Sequence, residues 1–351
     1  MAGSVIVAGA RTPIGKMSGA FSSLSAADLG GIAIAEALRR AGVSPEQVDH
    51  VIMGQVLTAG QGQVPARQAA VKGGIPMRVP AVNINKVCLS GLNSIYLADQ
   101  MIQAGDADIV VAGGMESMTN APYLAAGARG GFRYGNTELA DAIIKDGLFC
   151  AFDACLMGTS TDRYTGTTVS REEMDEVSAA SHERAAAAIK EGRLADEIVQ
   201  VSLPQRRGDP IVVETDEGVR PGTTAESLGK LRAAFLDDGT ITAGNASQIS
   251  DGGSALVMMS ERAAAACGVE PLGEVVSYGM VAGPDNPSLN LQPSNAISKA
   301  LSKTARAPAE LPVSAAEPES APEPAAKPEP ERVAAERPAR VKVYVEHQGA
   351  S

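Results

Sequence analysis

Short apolar segments alternate with longer helix-forming segments over the first 119 residues. The strand-like stretches are SVIVAGARTPIG, DHVIMGQVL, VPAVNINKV and ADIVVAGGMES. Between them lie the helix-like stretches SAADLGGIAIAEALRRAG, ARQAAVKGG and SGLNSIYLADQMIQAG. Ser25 is in the N-cap position of the first helix and Gly42 marks its end. Because strands that alternate with helices pack as layers, this pattern predicts an α/β unit.

The alternation is interrupted between residues 120 and 245, where Gly- and Pro-rich segments surround one long helix. This helix is expected to begin at Ser170 and to stop at Gly192. Strand and helix patterns then return. The predicted organisation is an N-terminal α/β half at 1–119, a loop domain at 120–245, a return to the first half at 246–273 and the start of a second half at 274–303.

The composition changes abruptly after Lys303. Eight of the 21 prolines lie between Pro308 and Pro338, in a stretch built almost wholly of Ala, Pro, Glu and a few basic residues. Such a segment buries too little apolar surface to offset its loss of backbone entropy, so a disordered tail is predicted at 304–351. The stretch VKVYVEH alternates like a strand, but an isolated strand is not stable by itself.

Charge and composition exclude several classes of function. A formal net charge of −11 argues against nucleic-acid binding, which requires a basic surface. No apolar run is long enough to span a membrane, and no secretory signal is recognisable. The four cysteines form no CxxC pair and the three histidines are scattered, so we expect free thiols, a cytoplasmic protein and no metal site.

Cys88 lies between a predicted strand and a predicted helix, in the stretch INKVCLSGLNSI. The unpaired N–H groups of a first helical turn point toward this position, and their partial positive charge favours a thiolate, which is the nucleophilic form. A sharp strand-to-helix turn would also expose the sulfur. The alternative is a cysteine that merely packs in the core between strand and helix.

Six motifs along the chain together resemble the thiolase family, and most of all its bacterial acetyl-CoA C-acetyltransferase branch. They are, in order, ARTPIGKMSGAF, INKVCLSGLNS, GGMESMTNAPY, EGVRPGTTAESLGKLRAAF, TITAGNASQISDGG and QPSNAISKAL. The resemblance implies the layered αβαβα architecture of that family, with the N-terminal half and a CoA-binding loop domain present. It also implies an enzyme whose substrates are acyl-CoA and CoA, without another cofactor, and which forms a dimer or tetramer.

The resemblance assigns roles to five residues. Cys88 would accept the acyl group, and Arg220, Ser227 and Ser247 would bind the phosphates, the adenine region and the pantetheine arm of CoA. Met157 matches the substrate-pocket motif HMG, although Leu156 replaces its histidine. The product would be a 3-ketoacyl-CoA, made through an acyl-Cys88 thioester that splits one difficult step into two. Glu116 is expected to have a structural, hydrogen-bonding role.

Three motifs of the family do not occur in this sequence. They are NEAFA, GHP and a late CxG, whose asparagine, histidine and cysteine would supply an oxyanion hole, activate the nucleophile and transfer protons. Most of the C-terminal half is therefore expected to be missing, through truncation, a frameshift or fusion to another segment. Loss of these groups predicts compromised activity.

Two other functions stay open at this point. The chain could be a non-catalytic, thiolase-like subunit that binds CoA or supports an assembly. It could also be a relative of the ketoacyl synthases, which share the layered fold and a cysteine nucleophile, although the VRPGTT and AGNAS stretches favour thiolase.

Overall fold

The computed structural model of the protein describes residues 4–165, 168–282, 291–304 and 341–349. The strands are β1 (Ser4–Arg11), β2 (Gly15–Lys16), β3 (His50–Gly54), β4 (Ala81–Ile84), β5 (Ile109–Ser117), β6 (Tyr123–Leu124), β7 (Ala140–Asp141), β8 (Phe149–Cys150), β9 (Cys155–Leu156), β10 (Val201–Leu203), β11 (Ile211–Val213), β12 (Ser250–Ser260), β13 (Gly273–Ala282) and β14 (Val341–Gly349). The helices are α1 (Ala26–Ala41), α2 (Pro65–Lys72), α3 (Ser90–Ala104), α4 (Met157–Thr165), α5 (Arg171–Lys190), α6 (Ala225–Gly229), α7 (Glu261–Cys267) and α8 (Gln292–Leu301).

One mixed sheet of eight strands organises the molecule. Its order is β14–β13–β1–β12–β5–β3–β4, and β2 pairs with the start of β12. The long central strand β12 is antiparallel to β1 and to β5, whereas β5, β3 and β4 are mutually parallel. The carboxyl ends of these three parallel strands therefore lie at one edge of the sheet, which is where α/β folds usually place their sites.

Side chains on alternate residues of each strand pack against helices on opposite faces of the sheet. On β5, Val111 and Met115 join a cluster with residues of α1 and α2, whereas Val110 and Ala112 join a cluster with residues of α3. Each Val or Ile that is buried in this way contributes about 1.5–3 kcal/mol. Both faces are thus covered, and the prediction of a layered α/β fold is confirmed.

Helix α1 begins and ends where the sequence predicts. Ser25 accepts a hydrogen bond from the backbone N–H of Asp28, and the Asp28 carboxylate accepts one from the backbone N–H of Ser25. Gly42 ends the helix in the left-handed conformation at a φ of 64°. A reciprocal cap of this kind satisfies two amides that have no partner within the helix. The local sequence alone therefore determines both boundaries.

The described residues between 120 and 245 form small elements outside the main sheet. They include three two-stranded sheets, β6–β7, β8–β9 and β10–β11, and the helices α4 to α6. Helix α5 starts with a second capping box, formed by Ser170 and Glu173, as the sequence predicts. The helix ends at Lys190, two residues before the predicted stop at Gly192, whose φ is 70°.

The segment expected to begin a second half lies against the first. Strand β13 pairs with β1 through Val5 and Ile6, and α8 packs on β13. Gly279 of β13 permits this close approach, because a Cβ atom there would lie 1.9 Å from the carbonyl oxygen of Ala296 in α8. These elements extend the sheet of the N-terminal half.

The prediction of a disordered tail differs from the structure for the last residues of the tail. Residues 304–351 were expected to be disordered, but Val341–Gly349 form β14, which pairs in parallel with β13 over its whole length. Pairing with an existing sheet edge supplies the backbone hydrogen bonds that an isolated strand lacks, so the prediction is wrong there. Residues 305–340, which hold most of the predicted tail, lie outside the described residues.

Candidate functional site

Cys88 lies in a strained turn that joins β4 to α3, two residues before the first helical residue. Val87, just before it, has a φ of 50°, which is a rare conformation for a β-branched residue. Ser90 holds the turn, because its Oγ accepts the backbone N–H of Lys86 at 2.8 Å and donates to the carbonyl oxygen of Val87 at 2.6 Å. Strained backbone of this kind clusters at functional sites.

Cys88 lies just before the N-terminal, positive end of α3. Cys88 is exposed, so it is not the core cysteine that the alternative interpretation predicted. The N-cap residue of α3 is Leu89, which has no capping side chain, and this fully described helix has no acidic residue in its first turn. The partial positive charge of the first turn is therefore not neutralised locally.

Glycines let the start of α3 lie directly on the edge of the sheet. A Cβ atom at Gly54, the last residue of β3, would lie 2.3 Å from the backbone carbon of Ser90. Gly91 similarly lies against Gly114 of β5, where a Cβ atom would be 3.1 Å from the Gly91 Cα. The end of the sheet therefore fixes the position of the Cys88 turn.

Cys88 opens into a cavity of about 570 Å³, which we call the Cys88 cavity. Its lining is mostly apolar and includes Val56, Leu57, Leu92, Ile95, Met115, Met118, Leu148 and Leu256. The polar groups on its wall are Arg11, Gln55, Glu116 and Asp251, together with several small residues. An apolar cavity with a few converging polar groups is the usual form of a small-molecule site.

Glu116 is an ionisable group on the wall of this cavity whose pKa is shifted by its surroundings. Its carboxylate accepts the backbone N–H groups of Val56 at 2.8 Å and Leu57 at 3.2 Å, which confirms the expected hydrogen-bonding role. Burial raises the pKa of Glu116, and the nearby negative charge of Asp251 raises it further, although the two N–H donors oppose both effects. Glu116 thereby ties the loop after β3 to β5.

A second cavity of about 530 Å³, the loop cavity, brings together three of the predicted CoA-binding residues. Arg220, Ser227 and Ser247 all line it. Ser227 is held in α6 by a capping box with Thr224. The backbone N–H of Arg220 donates to Nδ1 of His182 at 3.2 Å. The combination of a guanidinium, hydroxyls and backbone amides suits a phosphorylated, polar ligand.

His182 is a cavity residue that the sequence analysis does not identify. It lines the loop cavity from α5 together with Val177, Ser178 and Ser181. These four residues occupy positions i, i+1, i+4 and i+5, so they share one face of the helix. This spacing was the available signal in the sequence. On a helix whose only large apolar residues are Met174, Val177 and Ile189, however, it equally describes a solvated face.

Met157 is the predicted site residue that the structure does not bring into either cavity. Among the described residues that line the Cys88 cavity or the loop cavity, Met157 does not occur. It is the first residue of α4, and the next residue, Gly158, packs against the ring of Phe235. This packing holds the start of α4 against Phe235.

The two cavities are connected by a short piece of chain. Ser247 and Gln248 line the loop cavity, whereas Ser250 and Asp251 line the Cys88 cavity. Residues 247–251 therefore join a wall of the polar cavity to a wall of the cavity that contains Cys88.

The described residues contain no group of three or more His, Cys, Asp or Glu side chains placed to hold a metal ion. None of the helices in the described ranges has the length and apolar character required to cross a bilayer.

Comparisons with known proteins show which family the chain belongs to. Residues 4–262 match the family "Thiolase, N-terminal domain". A probable acetyl-CoA acetyltransferase of Mycolicibacterium smegmatis is 53% identical over 300 residues, which cover 85% of this chain and 77% of the relative. An acetyl-CoA acetyltransferase of Thiocystis violacea is 47% identical over 308 residues, which cover 88% and 78% respectively. The chain therefore belongs to the thiolase family.

Proposed function

We propose that this protein is an acetyl-CoA C-acetyltransferase in which Cys88 carries the acyl group. The Cys88 thiolate attacks the thioester carbonyl of one acetyl-CoA, a new C–S bond forms, and CoA leaves as a thiolate that takes up a proton. A base from the solvent takes an α-proton from a second acetyl-CoA, and the resulting carbanion attacks the acyl-Cys88 carbonyl. The carbon–sulfur bond to Cys88 breaks and a 3-ketoacyl-CoA is released. The reverse direction cleaves a 3-ketoacyl-CoA with CoA.

One observation carries this proposal. An exposed cysteine lies before an uncapped helix N-terminus, on the wall of an apolar cavity, and residues 247–251 lead from the wall of a second, polar cavity to the wall of the first. The uncapped N-terminal end of α3 places partial positive charge next to the cysteine at which the acyl group would be transferred. Exchange of one thioester for another is nearly isoenergetic, which suits a cysteine nucleophile.

Coenzyme A is the proposed ligand of the loop cavity. We assign its phosphates to Arg220, its adenine region to Ser227 and its pantetheine arm to Ser247. Met157 lines neither cavity and is proposed as a substrate-binding residue from its family motif alone. Supporting this assignment, the three polar residues line one cavity, and Ser247 is the one nearest in sequence to the Cys88 cavity. No cofactor besides CoA thioesters is proposed. The relatives bear the name acetyl-CoA acetyltransferase, which supports acetyl as the acyl group.

We propose that acylation of Cys88 is retained whereas condensation is compromised. The described lining of the Cys88 cavity has no imidazole and no second thiol. Absence of one oxyanion donor typically slows such reactions by about 100- to 1,000-fold. Absence of a general base slows them by about another 100- to 10,000-fold. The same observation favours the second candidate, a non-catalytic subunit that binds CoA or supports an assembly.

Association of two or more copies and a cytoplasmic location complete the proposal. In the described part of the sheet, β4 is an end strand that pairs only with β3. Its Val82 and the neighbouring Met77 are exposed. An open edge with exposed apolar side chains favours pairing with another strand, so a dimer or tetramer is proposed.

Four free thiols, all at described positions, support a reducing compartment.

Labelled acetyl-CoA tests the proposal directly. After incubation, mass spectrometry of the peptide that contains Cys88 should find the acetyl group on that residue. The Cys88→Ser variant should lose the label, and the matched Cys267→Ser variant should keep it. Unlabelled Cys88 in a protein that still binds CoA would instead favour the non-catalytic subunit.

A further inference from the structure

Besides the face of α5, two chain segments line the loop cavity, and both are attached to one short stretch, residues 11–20, which we call the anchor segment. Its first residue, Arg11, lines the Cys88 cavity. Strand β2, which belongs to this segment, pairs with the start of β12. The backbone N–H of Met17 donates to the carbonyl oxygen of Ile249. These contacts fix the wall of the loop cavity that contains Ser247.

The wall that contains Gly218 and Arg220 is attached through two consecutive carboxylates, Asp216 and Glu217. Asp216 accepts two hydrogen bonds from the Arg11 guanidinium, at 2.8 and 3.1 Å, and one from the backbone N–H of Ile14 at 2.7 Å. Glu217 accepts the backbone N–H groups of Lys16 at 3.0 Å and Ala20 at 3.1 Å. The chain then continues through Gly218 to Arg220 in the cavity.

The Arg11–Asp216 pair is placed to resist displacement. The side chain of Arg11 is 20% exposed and that of Asp216 is 15% exposed, and the two parallel N–H···O bonds fix both distance and orientation. The walls also touch each other, since a Cβ atom at Gly218 would lie 1.9 Å from the side chain of Gln248. A shift of the Asp216 wall would therefore change the shape of the cavity.

We propose that Asp216 is a positioning residue that keeps the loop cavity in a fixed position relative to Cys88. Through Arg11, it determines where a ligand bound in the loop cavity presents its sulfur. Asp216 lines neither cavity itself, so its effect is on alignment and not on the reactivity of Cys88. This inference rests on the proposed binding of CoA in the loop cavity.

Thiol–disulfide exchange measures this alignment without requiring catalysis. The probe is the 2-pyridyl disulfide of CoA, and the reference is the 2-pyridyl disulfide of N-acetylcysteamine, which lacks the nucleotide. Cys88 attacks the sulfur of the CoA moiety, a Cys88–CoA disulfide forms, and the thiol proton leaves with pyridine-2-thione. The ratio of the two rate constants at Cys88, measured by peptide mass spectrometry, reports how well the loop cavity directs the sulfur.

In the unmodified protein the ratio should be about 100, because the bound probe is present at a high local concentration. Asp216→Asn should lower it by about tenfold or more, since misplacement by about 1 Å can cost about 100-fold. The rate with the N-acetylcysteamine reagent should change less than twofold. Arg39→Gln, which removes an exposed ion pair with Glu36, is the matched control and should leave the ratio unchanged.

Two variants separate alignment from unfolding. Arg11→Lys keeps the charge but cannot form two parallel bonds, so it should give an intermediate ratio while the thermal unfolding midpoint stays near that of the control. An Asp216→Asn ratio equal to that of the unmodified protein overturns the inference. Equal slowing with both reagents also overturns it. A ratio near one in the unmodified protein overturns the proposed CoA site itself.

Discussion

The hydroxyl of Ser90 donates to the carbonyl oxygen of Val87 at 2.6 Å and thereby closes the turn that contains Cys88. The Ser90 Oγ also accepts a hydrogen bond from the backbone N–H of Lys86, so this one side chain bonds to both ends of the turn. Because Ser90 is also the first residue of α3, it couples the position of the sulfur to the start of the helix.

Replacing Ser90 by alanine should therefore slow the reaction of Cys88. The variant leaves the Lys86 amide without its partner and removes a support of the positive φ at Val87, at a cost of about 1–3 kcal/mol in the free energy of unfolding. We expect alkylation of Cys88 by iodoacetamide to slow by about tenfold, as the sulfur moves relative to the helix end. Peptide mass spectrometry over a time course measures this rate.

Ser302→Ala is the control for this variant. Ser302 forms a similar local bond, to the carbonyl oxygen of Lys299 at 2.9 Å, but at an exposed position in the last part of the chain before residue 304. It should leave both the unfolding free energy and the alkylation rate unchanged. Equal alkylation rates in Ser90→Ala and the control would contradict the prediction.

Adding one methyl group at Gly54 should push against the start of α3, which follows the turn that contains Cys88. A Cβ atom there would meet the backbone of Ser90 and Gly91, which cannot rotate away as a side chain could. Gly54→Ala is therefore expected to destabilise the protein by about 3 kcal/mol, at the upper end of overpacking costs. Urea denaturation measures the change.

Gly130→Ala is the matched control, because a Cβ atom at Gly130 would meet no atom within 4 Å among the described residues. Its unfolding midpoint should stay within experimental error of that of the unmodified protein. If both alanine variants had the same midpoint, the close approach of α3 to β3 would not be a packing constraint.

Glu116 should make stability depend on pH in an unusual direction. Burial raises the pKa of Glu116 above its usual value of 4.5, so the folded state keeps this proton at pH values where the unfolded chain has released it. Its contribution to stability is present below pH 4.5 and is lost as the pH rises through the folded pKa. The difference in unfolding free energy between the unmodified protein and Glu116→Gln should decrease as the pH rises across this window.

Glu36 provides a control of opposite sign. The guanidinium of Arg39, with help from Arg40, lowers the pKa of Glu36 to about 2. Its stabilising contribution, about 1 kcal/mol for ion pairs at the surface, is present above pH 4.5 and is lost as the pH falls toward 2. Urea denaturation at several pH values should therefore give opposite slopes for Glu116→Gln and Glu36→Gln. Parallel slopes would contradict the assigned environments.

Arg220 should contribute to CoA affinity through charge. Arg220→Gln removes the guanidinium assigned to the phosphates, and we expect CoA to bind about tenfold more weakly, which corresponds to about 1.4 kcal/mol. Binding of pantetheine, which has no phosphate, should be unaffected. Isothermal titration calorimetry of both ligands distinguishes these outcomes.

Arg262→Gln removes another exposed guanidinium, one that pairs with Asp108 at a distance of 2.6 Å. It should leave CoA binding unchanged, and so controls for the overall change in net charge. Weaker binding of pantetheine to the Arg220→Gln variant would indicate a change in cavity shape and would contradict the phosphate assignment.

The sequence by itself determined the local features of this protein. Strand periodicity placed apolar residues on both faces of the sheet, Ser25 and Ser170 began their helices through capping boxes, and Cys88 lay between a strand and a helix. Each of these depends on contacts within a few residues, which a sequence pattern records directly.

Only the tertiary structure decided which distant residues meet. Arg11 and Asp216 pair across 205 positions, His182 lines the loop cavity, Met157 lines neither cavity, and Val341–Gly349 add a strand to β13. Periodicity and composition describe the environment that a residue favours but not the partner it finds. These contacts form when the sheet brings separate parts of the chain together, and no local signal specifies that geometry.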